Sequence, residues 1–265
     1  MTELNTIQFT VDTKGVAHLT LDRQHKSNAF DDAMIADLLN ALHRVGNDKN
    51  IRCLVLRGNG KHFSAGADLA WMKSMANKSQ NENLQDAQKL AELMTRLDTL
   101  TIPTVAVVQG SAFGGALGLL CCCDVVVAHA DCRFCLSEVK LGLVPATIGP
   151  YVIRTIGVRY ARRYMLSAEV MGAPQALELG IVHEVLLGSK IDPFVDTLVD
   201  KFVANSPNAI ANTKALIQYC HNHPINPPLI DFTSQVIADA RTSSQGQKGL
   251  QAFFDKVPPI WKQEE

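Results

Sequence analysis

Two glycine-rich segments have the residue types and spacing to hold a negative charge. The first is Phe63-Ser-Ala-Gly-Ala-Asp-Leu69 and the second is Ala112-Phe-Gly-Gly-Ala-Leu-Gly118. The second follows an apolar run, Thr104 to Val108, that breaks at Gly110, and it leads into a stretch rich in Ala, Leu and Cys that Asp124 closes. Glycines at the mouth of a helix let backbone N–H groups approach a ligand closely, and the positive end of the helix dipole points the same way. Such a mouth can hold a developing anion. The same glycines would also suit a helix that only packs tightly on a sheet, and this stretch alone leaves both readings open.

The elements around these turns can be read from periodicity. Ile7 to Val11 and Val16 to Leu21, with Lys14-Gly15 between them, form a hairpin. Asp31 or Asp32 caps a helix whose apolar positions Met34, Ile35, Leu38, Leu42 and Val45 follow the helical period. Arg52 to Arg57 is a strand, Leu69 to Met75 a short helix, Asn77 to Asn83 a polar loop and Leu84 to Leu100 a longer helix. A strand from Thr104, a buried helix and a strand at Val125 to Val127 follow, and then a short strand, Arg133 to Leu136, ends at Ser137-Glu138. Gly149 starts a helix, Ala173 to Leu179 is another, and Ile181 to Leu186 is the last strand. From about Asp192 onward the pattern is helical. Strand–strand–helix units recur loosely along the first part.

Bulk properties narrow the class. The chain has 265 residues, 47% hydrophobic and 19% charged, which suits a well-buried globular protein. A net charge of −1 and the lack of a basic stripe give no reason to expect nucleic acid or a membrane surface. No apolar run approaches a membrane span, and Met1-Thr-Glu-Leu-Asn lacks a signal-peptide pattern, so a cytoplasmic location is expected. The seven cysteines sit mostly in apolar runs and read as small buried hydrophobes in a reducing compartment. Cys132-Arg-Phe-Cys135 matches C-x-x-C but lacks a second pair, and no metal is expected.

Taken together, the two glycine turns and Ser137-Glu-Val-Lys-Leu-Gly142 closely resemble the crotonase (enoyl-CoA hydratase/isomerase) superfamily. The likeness covers nearly the whole chain, including Asn28-Ala29, Ile181-Val-His-Glu184 and Gly249-Leu-Gln-Ala-Phe-Phe254. It implies an α/β fold, a crotonase-like spiral of ββα units over residues 1–195, and a helical trimerisation region over 196–265. It also implies a homotrimer or a hexamer built from two trimers. The substrate would be an acyl-CoA thioester, so coenzyme A belongs to the substrate and no separate cofactor is expected. Carried over residue by residue, the backbone N–H groups of Ala67 and Gly115 form an oxyanion hole with Gly114 beside it. Ala65, Gly66, Asp68 and Leu69 map onto the CoA-binding loop, Lys26 and Ser27 lie by the nucleotide, and Phe253 and Lys256 reach CoA from a neighbouring subunit.

Many hydratases of this family use two glutamates. Here the first position is Gly118 and the second is Glu138. One carboxylate can take a proton from water and return it to the α-carbon, or shuttle a proton between C2 and C4. His62, Asp68, Cys121 and Ser137, or a water opposite Gly118, are candidates to replace the missing acid. Ser64 to Lys73, Phe113 to Leu119 and Ser137 to Ala146 also resemble methylglutaconyl-CoA hydratases of bacterial leucine degradation and their γ-carboxygeranoyl-CoA relatives. Trp71, Met72 and Met75 then either line the acyl pocket or pack on the core. Lys73, Lys140 and Arg154 are candidate cations for a distal carboxylate.

Overall fold

The computed structural model describes residues 4–261. The chain runs β1 (Ile7–Val11), β2 (Val16–Leu21), α1 (Asp32–Asn47), β3 (Cys53–Gly58), α2 (Leu69–Met75), α3 (Gln80–Asp98), β4 (Thr104–Val108), β5 (Ser111–Phe113) and α4 (Gly115–Cys122). It continues with β6 (Val125–His129), β7 (Arg133–Cys135), a 3₁₀ turn (Glu138–Leu141), α5 (Gly149–Ser167), β8 (Met171–Gly172), α6 (Ala173–Glu178) and β9 (Glu184–Leu186). Helices α7 (Gly188–Ala204), α8 (Pro207–His221), α9 (Pro227–Thr242) and α10 (Ser244–Asp255) complete it.

The strands form two layers. The larger sheet has the order β1-β2-β3-β4-β6-β9 and is parallel except for the β1–β2 hairpin. The smaller sheet is β5-β7-β8, and the single bridges Ser64–Ala112 and Phe30–Ala67 continue its line. Each pass of the chain therefore lays one segment in each layer before a helix: β2 then Phe30, β3 then Ser64, β4 then β5, β6 then β7. This is the expected spiral of ββα units. Both glycine turns lie where a second-layer segment gives way to a helix.

Burial on both faces explains why β3 and β4 read as continuous apolar runs. Leu54, Leu56, Ala106 and Val108 face the main core with residues of α1, α3 and α4. Cys53, Val55, Val105 and Val107 face Ile191, Val195 and Val199 of α7. Each fully buried aliphatic side chain contributes about 1.5–3 kcal/mol. Asp124 ties the sheet to the C-terminal helices: it accepts from the Thr104 N–H (2.8 Å) and hydroxyl (2.9 Å) and pairs with Lys214 of α8 (2.6 Å).

Some boundaries differ from the sequence expectation. The polar run from Asn77 is not all loop, because Ser79 and Glu82 form a reciprocal capping box that starts α3 at Gln80. The last strand is shorter than Ile181–Leu186, because the N–H groups of Ile181 and Val182 both turn back to the Ala176 carbonyl (2.9 and 3.2 Å) and close α6. The domain boundary expected between residues 195 and 196 falls inside α7, whose buried face runs from Ile191 to Val199 across it. Among the described residues no helix is long and apolar enough to cross a membrane.

Candidate active site

The two glycine turns and Glu138 meet. The Phe113 N–H donates to the Ser64 carbonyl (3.1 Å), and the Gly114 N–H donates to the Cys135 carbonyl (2.9 Å). The second turn is thus stitched to the first turn on one side and to the strand leading to Glu138 on the other. Gly114 adopts φ +52°, and a Cβ there would lie 3.3 Å from Glu138 Oε1 and 4.0 Å from the Gly66 Cα. Gly66, at φ +92°, would place a Cβ 3.0 Å from the Phe113 carbonyl oxygen. Only glycine combines these positive φ angles with so close an approach.

The Ala67 N–H is freed by its neighbours. Phe30 donates to the Gly66 carbonyl (2.7 Å) and accepts from the Asp68 N–H (2.8 Å). In a parallel bridge those two bonds belong to the residues flanking Ala67, so its own N–H faces the other way. Gly115 opens α4, where a first-turn N–H has no intrahelical acceptor and the helix dipole adds partial positive charge. Among the described residues neither N–H donates to a protein acceptor. The chain thus carries two unspent donors, one on each turn, with the Glu138 carboxylate beside Gly114.

Glu138 Oε2 is buried with no hydrogen-bond partner. Burial pushes its pKa above the ordinary glutamate value of 4.5, against a smaller opposing effect of its own backbone N–H. A carboxyl whose pKa is raised in this way is suited to accept and return a proton.

The place of the absent second glutamate is filled. A Cβ on Gly118 would lie 2.3 Å from Ile148 Cγ2 and 2.9 Å from Met94 Sδ, and both residues are fully buried. No side chain, and so no carboxylate, fits on residue 118. Three of the other candidate replacements, His62, Cys121 and Asp68, are committed elsewhere. His62 Nδ1 accepts from the Ser111 N–H (3.2 Å), and burial, then the charges of Lys61 and Arg133, lower its pKa. Burial raises the Cys121 thiol to about 11. Both Asp68 carboxylate oxygens are taken: Oδ1 caps α2 by accepting from Ala70 N (2.8 Å) and Trp71 N (3.2 Å), and Oδ2 lies 3.3 Å from Arg23 Nη2. The expected Asp68 contact to CoA therefore cannot run through a free carboxylate.

The remaining expected contact residues divide. Ala65 is exposed and its N–H donates to the Ser27 carbonyl (2.9 Å), which places Lys26 and Ser27 beside the first turn. Leu69 is 79% exposed, and Leu141, Leu143 and Val144, just past Glu138, also project into solvent. Trp71 packs on the main core and borders a cleft with Arg23, Asp31 and Lys78, which favours its structural reading over the acyl-pocket one. Met72 is half-buried on the same helix. Phe253 (76% exposed) and Lys256 lie at the end of α10 and stand open in the single chain. Of the candidate cations, Arg154 is removed, because its guanidinium makes a two-pronged pair with Asp98 in a separate cleft under α8. Lys73 and Lys140 are exposed.

Sequence reasoning missed the residues that hold the first turn. Asn28 is fully buried in a left-handed conformation (φ 53°), accepts from Arg23 N (2.9 Å), and donates to the carbonyls of Asn59 (2.8 Å) and His62 (2.9 Å). The signal available was an Asn between a polar loop and an apolar helix, a type that tolerates this conformation. The C-x-x-C thiols part company, with Cys132 Sγ donating to the Val108 carbonyl (3.2 Å) and Cys135 Sγ to that of Ala168 (3.3 Å).

Comparison with known proteins gives a consistent result. The sequence profile of the enoyl-CoA hydratase/isomerase family matches residues 12–264. A crystal structure of an enoyl-CoA hydratase from Shewanella pealeana shares 46% identity, with a TM-score of 0.95 over 98% of this chain and 97% of that one. Pseudomonas aeruginosa AtuE shares 33% identity and a TM-score of 0.92 over 98% of this chain and 100% of that one. The 2,3-dehydroadipyl-CoA hydratase of Escherichia coli K12 is 32% identical over 245 residues, covering 92% of this chain and 94% of that protein.

Proposed function

The chain belongs to the enoyl-CoA hydratase/isomerase family, and on that premise we propose that it hydrates a branched 2-enoyl-CoA bearing a distal carboxylate, such as 3-methylglutaconyl-CoA or a related acid. The observation that carries the reading is the Glu138 carboxylate, whose Oε2 is buried without a partner, set against two glycine turns that each leave one N–H unspent. Adding water to the β-carbon moves negative charge onto the thioester oxygen. Two preset donors, Ala67 and Gly115, hold that charge at no cost in reorganisation, and losing one such donor typically costs about 3–4 kcal/mol. Glu138 takes the proton from the attacking water and returns it to the α-carbon. The likeness of the helix and loop sequences to methylglutaconyl-CoA hydratases supports a carboxylated acyl group, as does the relative named for dehydroadipyl-CoA. Lys73 and Lys140, both exposed, remain the candidate cations for the distal carboxylate.

The filled space at Gly118 favours one further reading. A single carboxyl is all that moving a proton between C2 and C4 requires, so isomerisation of a 3-enoyl-CoA uses the same parts. A panel of 2-enoyl-CoA thioesters in ¹⁸O-water separates the two. Label in a 3-hydroxyacyl product supports hydration. Absence of label with every 2-enoyl-CoA, together with conversion of a 3-enoyl-CoA, overturns it. We further propose a trimer or a pair of trimers, in which the exposed apolar side chains Ile225, Ile230, Phe253 and Phe254 are covered and Phe253 and Lys256 reach CoA in a neighbouring subunit. No cofactor beyond the CoA of the substrate is needed. Seven cysteines with none in a disulfide fit a reducing cytoplasm.

A further inference from the structure

We propose that Arg23 is a positioning residue that sets the Ala67 half of the oxyanion hole by clamping the N-caps of α1 and α2 to one another. The inference rests on the reading of Ala67 and Gly115 as the thioester-oxygen donors.

The geometry is specific. Arg23 Nη2 lies 2.8 Å from Asp31 Oδ2 and 3.3 Å from Asp68 Oδ2, and Nη1 donates to the Ala29 carbonyl at 2.6 Å. The two aspartates have matching roles. Asp31 Oδ1 caps α1 by accepting from Met34 N (2.9 Å), as Asp68 Oδ1 caps α2. Each aspartate therefore caps a helix with one oxygen and gives the other to the same guanidinium. All three side chains are largely buried, at 12%, 18% and 6% exposed, so the charges are poorly screened and neither lone partner is cheaply left behind.

The clamp closes a loop around Ala67. On one side the Phe30 bridge holds Gly66 and Asp68 by their backbones. On the other side Arg23 holds the Asp68 side chain and, through Ala29, the residue before Phe30. Gly66 is also held by its N–H to Ser64 Oγ (3.2 Å), so Ala67 lies between two doubly tethered neighbours and the direction of its N–H follows from where Arg23 puts Asp68. Arginine suits this place better than lysine, because its planar fork serves a carbonyl and two carboxylates at once. An oxyanion donor displaced by even a fraction of an ångström loses much of its differential hold on the transition state.

The test uses Arg23→Gln and the milder Arg23→Lys, with Asp200→Asn, which breaks an exposed pair with Lys14 that is no part of the clamp, as a control. Two readouts are taken on the full-length enzyme: kcat and KM, and the infrared carbonyl stretch of bound butyryl-CoA labelled with ¹³C at the thioester carbon. In wild type the stretch moves to lower frequency on binding as the two N–H groups polarise the carbonyl. The expected result is a fall in kcat of about ten- to a hundredfold in Arg23→Gln with KM little changed, and a smaller fall in Arg23→Lys. The carbonyl shift shrinks in the same order, and Asp200→Asn stays near wild type in both. A full wild-type carbonyl shift in folded Arg23→Gln or Arg23→Lys overturns the inference, as does an equal loss in Asp200→Asn. A wild-type enzyme that binds the thioester without any shift overturns the oxyanion-hole reading itself, which keeps the two failures apart.

Discussion

Ile148 occupies the space that a side chain on Gly118 would need: its Cγ2 stands 2.3 Å from the position of a Cβ there. Gly118 and Ile148 are one packing decision taken by two distant parts of the chain. Gly118→Ala overpacks this contact and is expected to cost about 1–3 kcal/mol. Combining it with Ile148→Ala, which alone opens a cavity costing about 2–5 kcal/mol, should cost less than the sum by about 0.5–3 kcal/mol. Urea denaturation of the two single variants and the pair measures this; strict additivity would show that the residues do not share the space.

Glu138→Gln removes the proton carrier and keeps its volume. Turnover is expected to fall by about 10²–10⁴-fold, with affinity for a saturated acyl-CoA unchanged by calorimetry. Activity within a few-fold of wild type would place the base elsewhere.

The raised pKa of Glu138 has opposite effects on rate and stability. Since the base must be ionised, the acid limb of kcat/KM for hydration should sit above pH 4.5, the ordinary glutamate value. For stability, a carboxyl whose folded pKa lies above its unfolded one binds its proton more tightly when folded. Its contribution is fully favourable below the unfolded pKa and is lost as pH rises through the folded pKa. Glu138→Gln should therefore melt higher than wild type at pH 8, and the difference should vanish toward pH 4. A variant that melts lower at pH 8 would mean that the carboxylate has a stabilising partner.

The adjacent glycines of the second turn should respond differently. Gly114→Ala forces a side chain into φ 52°, ψ −123°, a backbone region sparsely populated for non-glycine residues, and against Glu138 Oε1, a strain of about 1–3 kcal/mol focused on the carboxylate. At Gly115 an added Cβ meets only the Phe30 ring, at 3.4 Å, at ordinary contact distance. Steady-state kinetics of the two alanine variants should show Gly114→Ala the more impaired; the reverse order would mean that the Glu138 contact is unimportant.

Thiol labelling tests the reading of the cysteines as core residues. Burial raises Cys53 to about 12 and Cys132 to about 11, and holds Cys122 and Cys123 higher still. Brief treatment with iodoacetamide at pH 8 should modify Cys220, which is half-buried on α8, before any other cysteine, as read by peptide mass.

The strands, most helices and both glycine turns were legible because their signals are local: apolar period, caps, and glycine where a chain must turn. The convergence of those turns with Glu138 was legible only through the family pattern, since nothing in the spacing of residues 66, 114 and 138 brings them together. The clamp was not legible at all. Arg23, Asp31 and Asp68 are ordinary surface residue types, and their pairing depends on loops from two successive turns of the spiral meeting. The start of α3 was missed because a polar run looks like loop until the Ser79–Glu82 reciprocity is recognised. Arg154 was misassigned because its Asp98 partner lies on a helix far away in sequence.

A site with one proton carrier also has a handedness. Ile148 leaves no room for a side chain at position 118, so in the proposed hydration the oxygen placed on the β-carbon and the hydrogen placed on the α-carbon are both handled by the one carboxyl of Glu138. Both then arrive on the same side of the former double bond. If the proposed hydration holds, the reaction run in D₂O is expected to be a syn addition, read from the relative configuration at the two new centres of the product.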